Sequence, residues 1–208
     1  MGIVFEKPMI RVLDLNRCTE DEYEKIFTKV SDERKARSNF FLFQSDSQLS
    51  IAGGYLFEQG MKELGYESYG VAYGISGKPY LCEPEGLYFS TSHSGTIAAC
   101  AFFDEEIGLD IQQVREVSEK MIRKACTDKE YEHLMAMDEE ARKDAFCRMW
   151  TIKESYVKYT GTGMSVMPLE LEVDMGEHMT ISHDGNIMDV VFEEYEIPGY
   201  HMTLCRKG

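Results

Sequence analysis

A single carboxylate stands in the middle of an apolar stretch of this sequence. Asp110 lies between Leu109 and Ile111 in "IGLDIQ" (107–112), whose composition predicts a buried strand. Burying an ionised carboxylate is costly unless the group is paired, hydrogen-bonded or bound to a metal ion. Asp110 is therefore the first candidate for a chemical role.

Further candidates lie in one predicted helix, "DAFCRMWTIKESYVKYTGTG" (144–163). At 100° per residue, Glu154 lies at the edge of an apolar stripe, Lys158 lies one turn further along, and Lys153 falls inside the stripe. One interpretation is structural: a Glu154–Lys158 surface pair worth about 0.3–0.5 kcal/mol, and a lysine whose ammonium extends to the rim. The functional interpretation is that Lys153 projects into a cleft that needs positive charge.

Together, these residues suggest phosphate chemistry with a divalent cation. Mg²⁺ binds through one or two carboxylates plus waters and phosphate oxygens, and Asp110 and Glu154 could supply that pair from two different elements. Ser92 and His93 in "STSHSG" (90–95) could donate hydrogen bonds to a phosphate. Serines and histidines near turns also commonly bond their own backbone, so this pair has a structural interpretation too.

The elements that would position these residues recur in the same order in both halves of the chain: a strand, then helices, then strands. The segments "SGTIAACAFF" (94–103) and "PGYHMTLCRK" (198–207) hold corresponding places, which indicates a faint internal duplication. We predict an α+β fold with a pseudo-two-fold arrangement of two subdomains, 1–104 and 105–208. Each would be a small, mainly antiparallel sheet packed with helices, and the active site would lie in the cleft between them.

Local signals mark where several helices begin and how one of them packs. Thr19-x-x-Glu22 and Thr127-x-x-Glu130 are capping boxes, which predict helix N-termini. The apolar helix predicted over 45–66 contains Gly53-Gly54, which should allow a neighbour to approach closely.

Composition narrows the class of protein. The 208 residues have 43% hydrophobic and 28% charged content, no apolar run of the roughly 18 residues that a membrane span needs, and acidic residues early in the N-terminus. We therefore predict a soluble, cytoplasmic protein. The six cysteines form no C-x-x-C pair, and we expect reduced, mostly buried thiols.

The net charge of −15 argues against general binding to nucleic acid or to anionic membranes. An anionic ligand would have to meet a local basic cluster instead. Such basic residues occur in "DERKAR" (32–37), at Lys78, and along the helix that carries Glu154.

Four sequence blocks, taken in order, resemble a known family. They are "GKP" (77–79), "STSHSG" (90–95), "IGLDIQ" (107–112) and "MWTIKESYVKYTGTGMS" (149–165). This set resembles the Sfp-type 4′-phosphopantetheinyl transferases, from about Arg34 to the final "GYHMTLC". The resemblance implies an enzyme that moves 4′-phosphopantetheine from coenzyme A to a serine of an apo acyl or peptidyl carrier protein, with Mg²⁺ on the pyrophosphate and release of 3′,5′-adenosine bisphosphate.

The resemblance also implies roles for individual residues around the pyrophosphate. Asp110 and Glu154 would hold the metal, and Lys158 would lie near the pyrophosphate as a third catalytic residue. Lys153, in the same motif, joins the coenzyme A contacts. Either Glu154 or a metal-bound water would remove the serine proton.

Other residues would bind the rest of coenzyme A. By the same resemblance, Lys78, Ser92 and His93 contact its phosphates. Arg34 and Arg37 correspond to the basic residues that contact the nucleotide end.

The chain departs from the family pattern at two positions. Gln112 stands where a second acidic residue is usual, and a neutral amide is a poorer ligand for Mg²⁺, so an extra water should complete the site. Leu49 stands where we expect a basic residue that binds the 3′-phosphate, and tolerance of dephospho-coenzyme A would follow.

Carrier proteins are often acidic, so two acidic partners should repel each other at long range. We therefore expect docking through apolar contacts, with Met121 and Ile122 as candidates, and a monomer with a complete site. Two other functions stay open at this point. One is a non-catalytic module that binds coenzyme A or a carrier protein, and the other is a Mg²⁺-dependent phosphohydrolase.

Overall fold

The structure is a computed structural model that describes residues 4–176 and 178–208. Each of its α-helices except the third begins after a residue whose side chain accepts a hydrogen bond from the first turn of the helix. They are α1 (Glu20–Thr28), α2 (Asp32–Ser38), α3 (Gln44–Glu63), α4 (Glu119–Ala125), α5 (Asp128–Met135) and α6 (Glu139–Thr160). Both predicted capping boxes are present, at Thr19/Glu22 and Thr127/Glu130, because each hydroxyl accepts from an amide that would otherwise lack a partner.

The strands are short and belong to small sheets. They are β1 (Met9–Asp14), β2 (Gly70–Tyr73), β3 (Pro79–Glu83), β4 (Tyr88–Ser94), β5 (Ile97–Phe103), β6 (Ile107–Gln113), β7 (Leu171–Asp174), β8 (Thr180–His183), β9 (Asn186–Ile187), β10 (Val190–Ile197) and β11 (Tyr200–Lys207). The sheets have the orders β1-β5-β4, β2-β3, β10-β11-β6 and β7-β8-β9. The three three-stranded sheets are antiparallel throughout.

The chain divides into two compact units, and the division is not a single cut. Unit 1 comprises Met1–Ala72 and Tyr80–Asp104, and unit 2 comprises Tyr73–Pro79 and Glu105–Gly208. The seven residues from the last residue of β2 to the first residue of β3 thus belong to unit 2, although the chain on both sides of them belongs to unit 1.

Unit 1 is built on the sheet β1-β5-β4, with α3 packed against β5. Every residue of β5 is buried, and its sequence "IAACAFF" is rich in small side chains, as a central strand covered on both faces requires. At Gly60 of α3, an added Cβ would overlap the Phe102 ring of β5, so glycine lets helix and strand meet closely. The core of the unit includes Leu56, Phe57 and Phe89.

Along the chain, unit 2 has the same order of elements as unit 1: a strand, then helices, then strands. Strand β6 comes first, the helices α4 to α6 follow, and the hairpin β10–β11 returns so that its last strand lies at the centre of the sheet, as β5 does in unit 1. Helix α6 packs against β6 and β11. The two segments predicted to correspond, 94–103 and 198–207, overlap these two central strands.

The α+β class and the antiparallel sheets predicted from the sequence are therefore confirmed. All six cysteines are free, and four of them are buried. The predicted close approach at Gly53-Gly54 occurs at Gly54, where an added Cβ would lie 2.8 Å from Cγ of Arg34, whereas one at Gly53 would meet nothing within 4 Å. Within residues 4–176 and 178–208, no helix has the length and apolar character that a membrane crossing requires.

Candidate active site

The site is built on the contact between strand β6 and helix α6 in unit 2. Side chains alternate along a strand, so Gly108, Asp110 and Gln112 share one face of β6. A Cβ at Gly108 would overlap the Ser155 carbonyl oxygen and the Tyr159 amide nitrogen of α6. That face therefore lies against the helix, and the missing side chain at Gly108 lets the two backbones meet.

Asp110 and Lys158 form an ion pair across this contact. The Lys158 ammonium donates to Oδ1 of Asp110 at 2.6 Å. The Asp110 side chain is 8% exposed, whereas that of Lys158 is 28% exposed. The buried carboxylate thus has a charged partner that itself still reaches solvent. The ion pair that the structure shows for Lys158 is thus with Asp110, across the contact between strand and helix.

Two buried threonines lie behind the pair and fix how α6 sits on the sheet. Thr203 of β11 stands opposite Asp110 in the strand register, and its hydroxyl is 2.9 Å from that of Thr151 on α6. Both residues are fully buried. This contact could not be predicted from the sequence, because isolated threonines 52 residues apart share no recognisable motif.

Glu154 shares the electrostatic environment of Asp110. It is half-buried, one helical turn before Lys158. Burial is the main cause that raises the pKa of its carboxyl group; the negative charge of Asp110 adds to the rise, and Lys158 partly opposes it. Two carboxylates and one ammonium therefore leave the site with an excess of negative charge when all three groups are ionised.

This set of donors fits a hard divalent cation. Two carboxylates from different elements, one of which raises the pKa of the other, are what Mg²⁺ takes when waters and substrate phosphates complete its shell. Among the described residues there is no cluster of three or more His, Cys, Asp or Glu side chains placed to hold a metal. An ion here would depend on Asp110 and Glu154.

Gln112 lies two residues beyond Asp110 on the same face of β6. Its side-chain amide nitrogen donates to the Gln113 carbonyl oxygen at 3.1 Å, and its partner across the strands is His201 of β11. The residue is thus on the correct face to be a third ligand. Whether it contributes to metal binding stays a prediction.

The structure corrects the interpretation of Lys153. Its side chain is 1% exposed, so its ammonium neither extends to the rim nor projects into a cleft. It donates to the Glu130 carboxylate at 2.6 Å and to the carbonyl oxygens of Ala125 and Pro168 at 2.9 and 3.0 Å. Because these acceptors use all three of its hydrogens, we withdraw Lys153 from the coenzyme A contacts.

Sequence reasoning recognised Glu130 only as a helix cap, whereas it is the centre of this buried network. Its carboxylate accepts from the Thr127 amide, the Lys153 ammonium and the Val173 amide of β7. One carboxylate thus ties three segments of unit 2 together. The capping box was the available signal, but a glutamate that caps a helix is usually solvent-exposed.

Lys78 lies in unit 2 at the C-terminal end of α6. It pairs with Glu106 and donates to the carbonyl oxygens of Ile107 and Tyr159, both at 3.2 Å. Its side chain is 19% exposed.

The remaining predicted contacts belong to unit 1. Arg34 and Arg37 lie on α2, and the stem of Arg34 packs on Gly54 of α3. Ser92 and His93 are in β4, an edge strand, with Ser92 buried and His93 exposed on the opposite face. Within unit 2, the structure brings together Asp110, Glu154 and Lys158. Arg34, Arg37, Ser92 and His93 are placed within unit 1.

Leu49 is 4% exposed and packs in the core of unit 1 beside Ala52 and Phe57. Position 49 therefore serves packing in this chain. A basic side chain for the 3′-phosphate would have to come from another position.

Comparisons with known proteins agree on one family. A family model described as the 4′-phosphopantetheinyl transferase superfamily matches residues 106–205, the part of the chain that contains Asp110, Glu154 and Lys158. The chain is 32% identical over 170 residues to the 4′-phosphopantetheinyl transferase HetI of Nostoc sp., an alignment that covers 74% of this chain and 68% of that protein.

Two Bacillus subtilis proteins are also similar. The 4′-phosphopantetheinyl transferase Sfp of strain 168 is 25% identical over 211 residues, covering 98% of this chain and 90% of its own length. A second 4′-phosphopantetheinyl transferase from this species is 28% identical over 172 residues, covering 81% of this chain and 72% of its own length. The similarity thus extends over both units.

Proposed function

This chain belongs to the 4′-phosphopantetheinyl transferase superfamily, and we propose from that premise that it transfers 4′-phosphopantetheine from coenzyme A to a serine of an apo acyl or peptidyl carrier protein. The observation that carries the proposal is the group formed by Asp110, Glu154 and Lys158. Two carboxylates and an ammonium meet in unit 2, where Lys158 pairs with the buried Asp110 at 2.6 Å, and burial and the charge of Asp110 raise the pKa of Glu154. This arrangement suits a magnesium pyrophosphate better than a purely structural ion pair.

In the reaction, the serine oxygen forms a bond to the phosphorus that carries pantetheine, and the bond from that phosphorus to the oxygen of 3′,5′-adenosine bisphosphate breaks. Asp110 and Glu154 would hold Mg²⁺, which supplies charge neutralisation on the pyrophosphate. Lys158, whose ammonium reaches solvent, can stabilise the charge that develops on the leaving group while keeping Asp110 oriented.

Glu154 is our candidate for the group that accepts the serine proton. Its pKa is raised by burial and by Asp110, and a carboxylate of raised pKa is a stronger base toward a hydroxyl than an ordinary surface glutamate.

For the nucleotide end of coenzyme A, we keep Arg34, Arg37, Ser92 and His93 as candidate phosphate contacts. Arg34 and Arg37 are adjacent on the short helix α2. Arg34 has its stem braced against Gly54, which limits the directions that its guanidinium can take. Removing Arg34 or His93 should therefore raise the KM for coenzyme A more than it lowers kcat.

For the carrier protein, Met121 is the better of the two apolar candidates. Met121 is 38% exposed on α4, whereas Ile122 is 2% exposed and belongs to the core of unit 2. An exposed methionine gives an adaptable apolar contact that does not depend on attraction between two acidic proteins. The cytoplasmic location and the monomeric state stay predictions of the sequence.

One experiment separates the proposed function from its alternatives. The protein is incubated with coenzyme A, Mg²⁺ and an apo carrier protein, and the intact carrier is weighed by mass spectrometry. A transferase adds the mass of phosphopantetheine to the carrier. A binding module leaves the carrier and coenzyme A unchanged, and a phosphohydrolase cleaves coenzyme A without labelling the carrier. Asp110→Asn, which keeps the size of the side chain and removes its charge, is the matched inactive control.

A further inference from the structure

The segment Tyr73–Pro79, which belongs to unit 2, forms a tight turn. The Gly74 amide donates to the Lys78 carbonyl oxygen, and the Gly77 amide donates to the Gly74 carbonyl oxygen, both at 2.9 Å. Gly77 has φ +84°, a conformation that glycine adopts without strain. The turn is therefore closed by its own backbone hydrogen bonds, which leaves the side chains of Ser76 and Lys78 able to bind other parts of unit 2.

These two side chains bind the end of α6. Ser76 donates to the Gly161 carbonyl oxygen, immediately after the last helical residue, and Lys78 donates to the Tyr159 carbonyl oxygen at 3.2 Å. Gly161, with φ +66°, ends the helix in the left-handed conformation. The last carbonyl groups of a helix lack partners within the helix, and positive charge is favoured there, so Lys78 meets both needs.

The Lys78 ammonium also reaches strand β6. Its second backbone acceptor is the Ile107 carbonyl oxygen, and its ionic partner is Glu106, the residue just before the strand. An ammonium has three hydrogens, and these three acceptors account for all of them. Lys153 is bound in the same manner, by one carboxylate and two carbonyl groups.

The two backbone acceptors of Lys78 lie next to the residues of the candidate site. Tyr159 follows Lys158 directly, and Ile107 precedes Asp110 by three residues on β6. One ammonium thus joins the two backbones whose side chains form the 2.6 Å ion pair.

We propose that Lys78 is a positioning residue: it holds the last turn of α6 against the start of β6 and thereby sets Lys158 against Asp110. The inference rests on the proposed function for its catalytic consequence. It differs from the role that the resemblance implies, in which Lys78 contacts a coenzyme A phosphate directly, because the three protein acceptors already use the donors that a phosphate would need.

The test compares the parent protein with Lys78→Met, Lys78→Arg and a control, Lys129→Met. Lys129 is an exposed lysine of unit 2 whose ionic partner, Glu172, is not one of the site residues. Two readouts are needed: steady-state transfer with coenzyme A varied, and amide hydrogen exchange over residues 156–161. Exchange reports the opening of the helix end without any turnover.

We expect Lys78→Met to lower kcat by about ten- to hundredfold, the range that a displacement of about 1 Å can cost, with KM for coenzyme A within about twofold of the parent value. Exchange over 156–161 should be faster in that variant. Lys78→Arg, which keeps the charge and several donors, should recover part of kcat and slow the exchange again. Lys129→Met should match the parent in both readouts.

Two results would overturn the inference. The first is a large rise in KM for coenzyme A with kcat and exchange unchanged, which would make Lys78 a phosphate contact. The second is faster exchange with an unchanged kcat, which would leave it a stabilising residue without influence on the site. If the parent protein itself labels no carrier, the proposed function fails separately. Exchange then still decides whether Lys78 holds the helix end, and unchanged exchange in Lys78→Met would refute that claim.

Discussion

The close approach of α6 to β6 at Gly108 can be tested by adding a single methyl group. In Gly108→Ala, the new Cβ would lie 2.8 Å from the carbonyl carbon of Lys158, and closer still to backbone atoms of Ser155 and Tyr159. Ordinary contact begins at 3.4 Å, so the helix backbone has to retreat by more than 0.6 Å. No side chain can rotate away to relieve the overlap, because every atom involved is backbone.

The retreat has two measurable effects. Overpacking of this kind costs about 1–3 kcal/mol, which lowers Tm by about 2–12 °C in a chain of this size. The helix also carries Glu154 and Lys158, so the 2.6 Å contact between Lys158 and Asp110 should lengthen. A misplacement approaching 1 Å can cost up to about a hundredfold, and we expect transfer to fall by about tenfold or more.

The matched control is Gly53→Ala in α3, where an added Cβ meets nothing within 4 Å. Alanine is favoured over glycine inside a helix, so this variant should be more stable by about 0.4–1 kcal/mol and fully active. Thermal unfolding followed by circular dichroism and the carrier-labelling assay measure both variants. If Gly108→Ala keeps the parent Tm and turnover, α6 can move away from β6 without cost, and the close contact at Gly108 does not position the site.

Other predictions concern charge. Because burial raises the pKa of Glu154 in the folded state, the stability that it contributes is fully present below its unfolded pKa and is lost as pH rises through its folded pKa. Glu154→Gln should therefore raise Tm at neutral pH, with no gain at low pH, while labelling stops; a lower Tm at neutral pH would contradict this. Gln112→Glu adds a negative ligand, so half-maximal labelling should need less Mg²⁺, and an unchanged requirement would mean that residue 112 does not face the metal. Lys153→Met leaves the Glu130 carboxylate buried without its ionic partner, which costs about 3–5 kcal/mol in comparable pairs. We therefore expect Tm to fall by at least about 6 °C in this variant. The exposed pair of Lys129 contributes little, so Lys129→Met should leave Tm unchanged.

The sequence could predict what depends on spacing and on local chemistry. The capping boxes, the alternation of β6 and the helical spacing of Glu154 and Lys158 follow from fixed periods, so the faces that carry these side chains were predictable. An isolated charge in an apolar strand also indicated that Asp110 needed a partner.

What depends on distant contacts could not be predicted in the same way. Helical periodicity placed Lys153 on an apolar face, but it could not show that Glu130 and two backbone carbonyl groups accept hydrogen bonds from its ammonium. Likewise, the "GKP" block indicated that Lys78 matters, but its acceptors lie 29 and 81 residues away along the chain. Nothing local identifies partners at such separations.

The discontinuous makeup of unit 2 has a consequence for how the chain is synthesised. Its first piece, Tyr73–Pro79, leaves the ribosome well before Glu105–Gly208, the rest of the unit. Domains generally fold as they emerge, N-terminal parts first, so this turn must stay available until Thr160, the last residue of α6, has been made. A gene fragment that starts at Glu105 would encode α6 without Ser76 and Lys78, which bind its end. No single cut in the gene therefore separates the two units, although each is compact by itself.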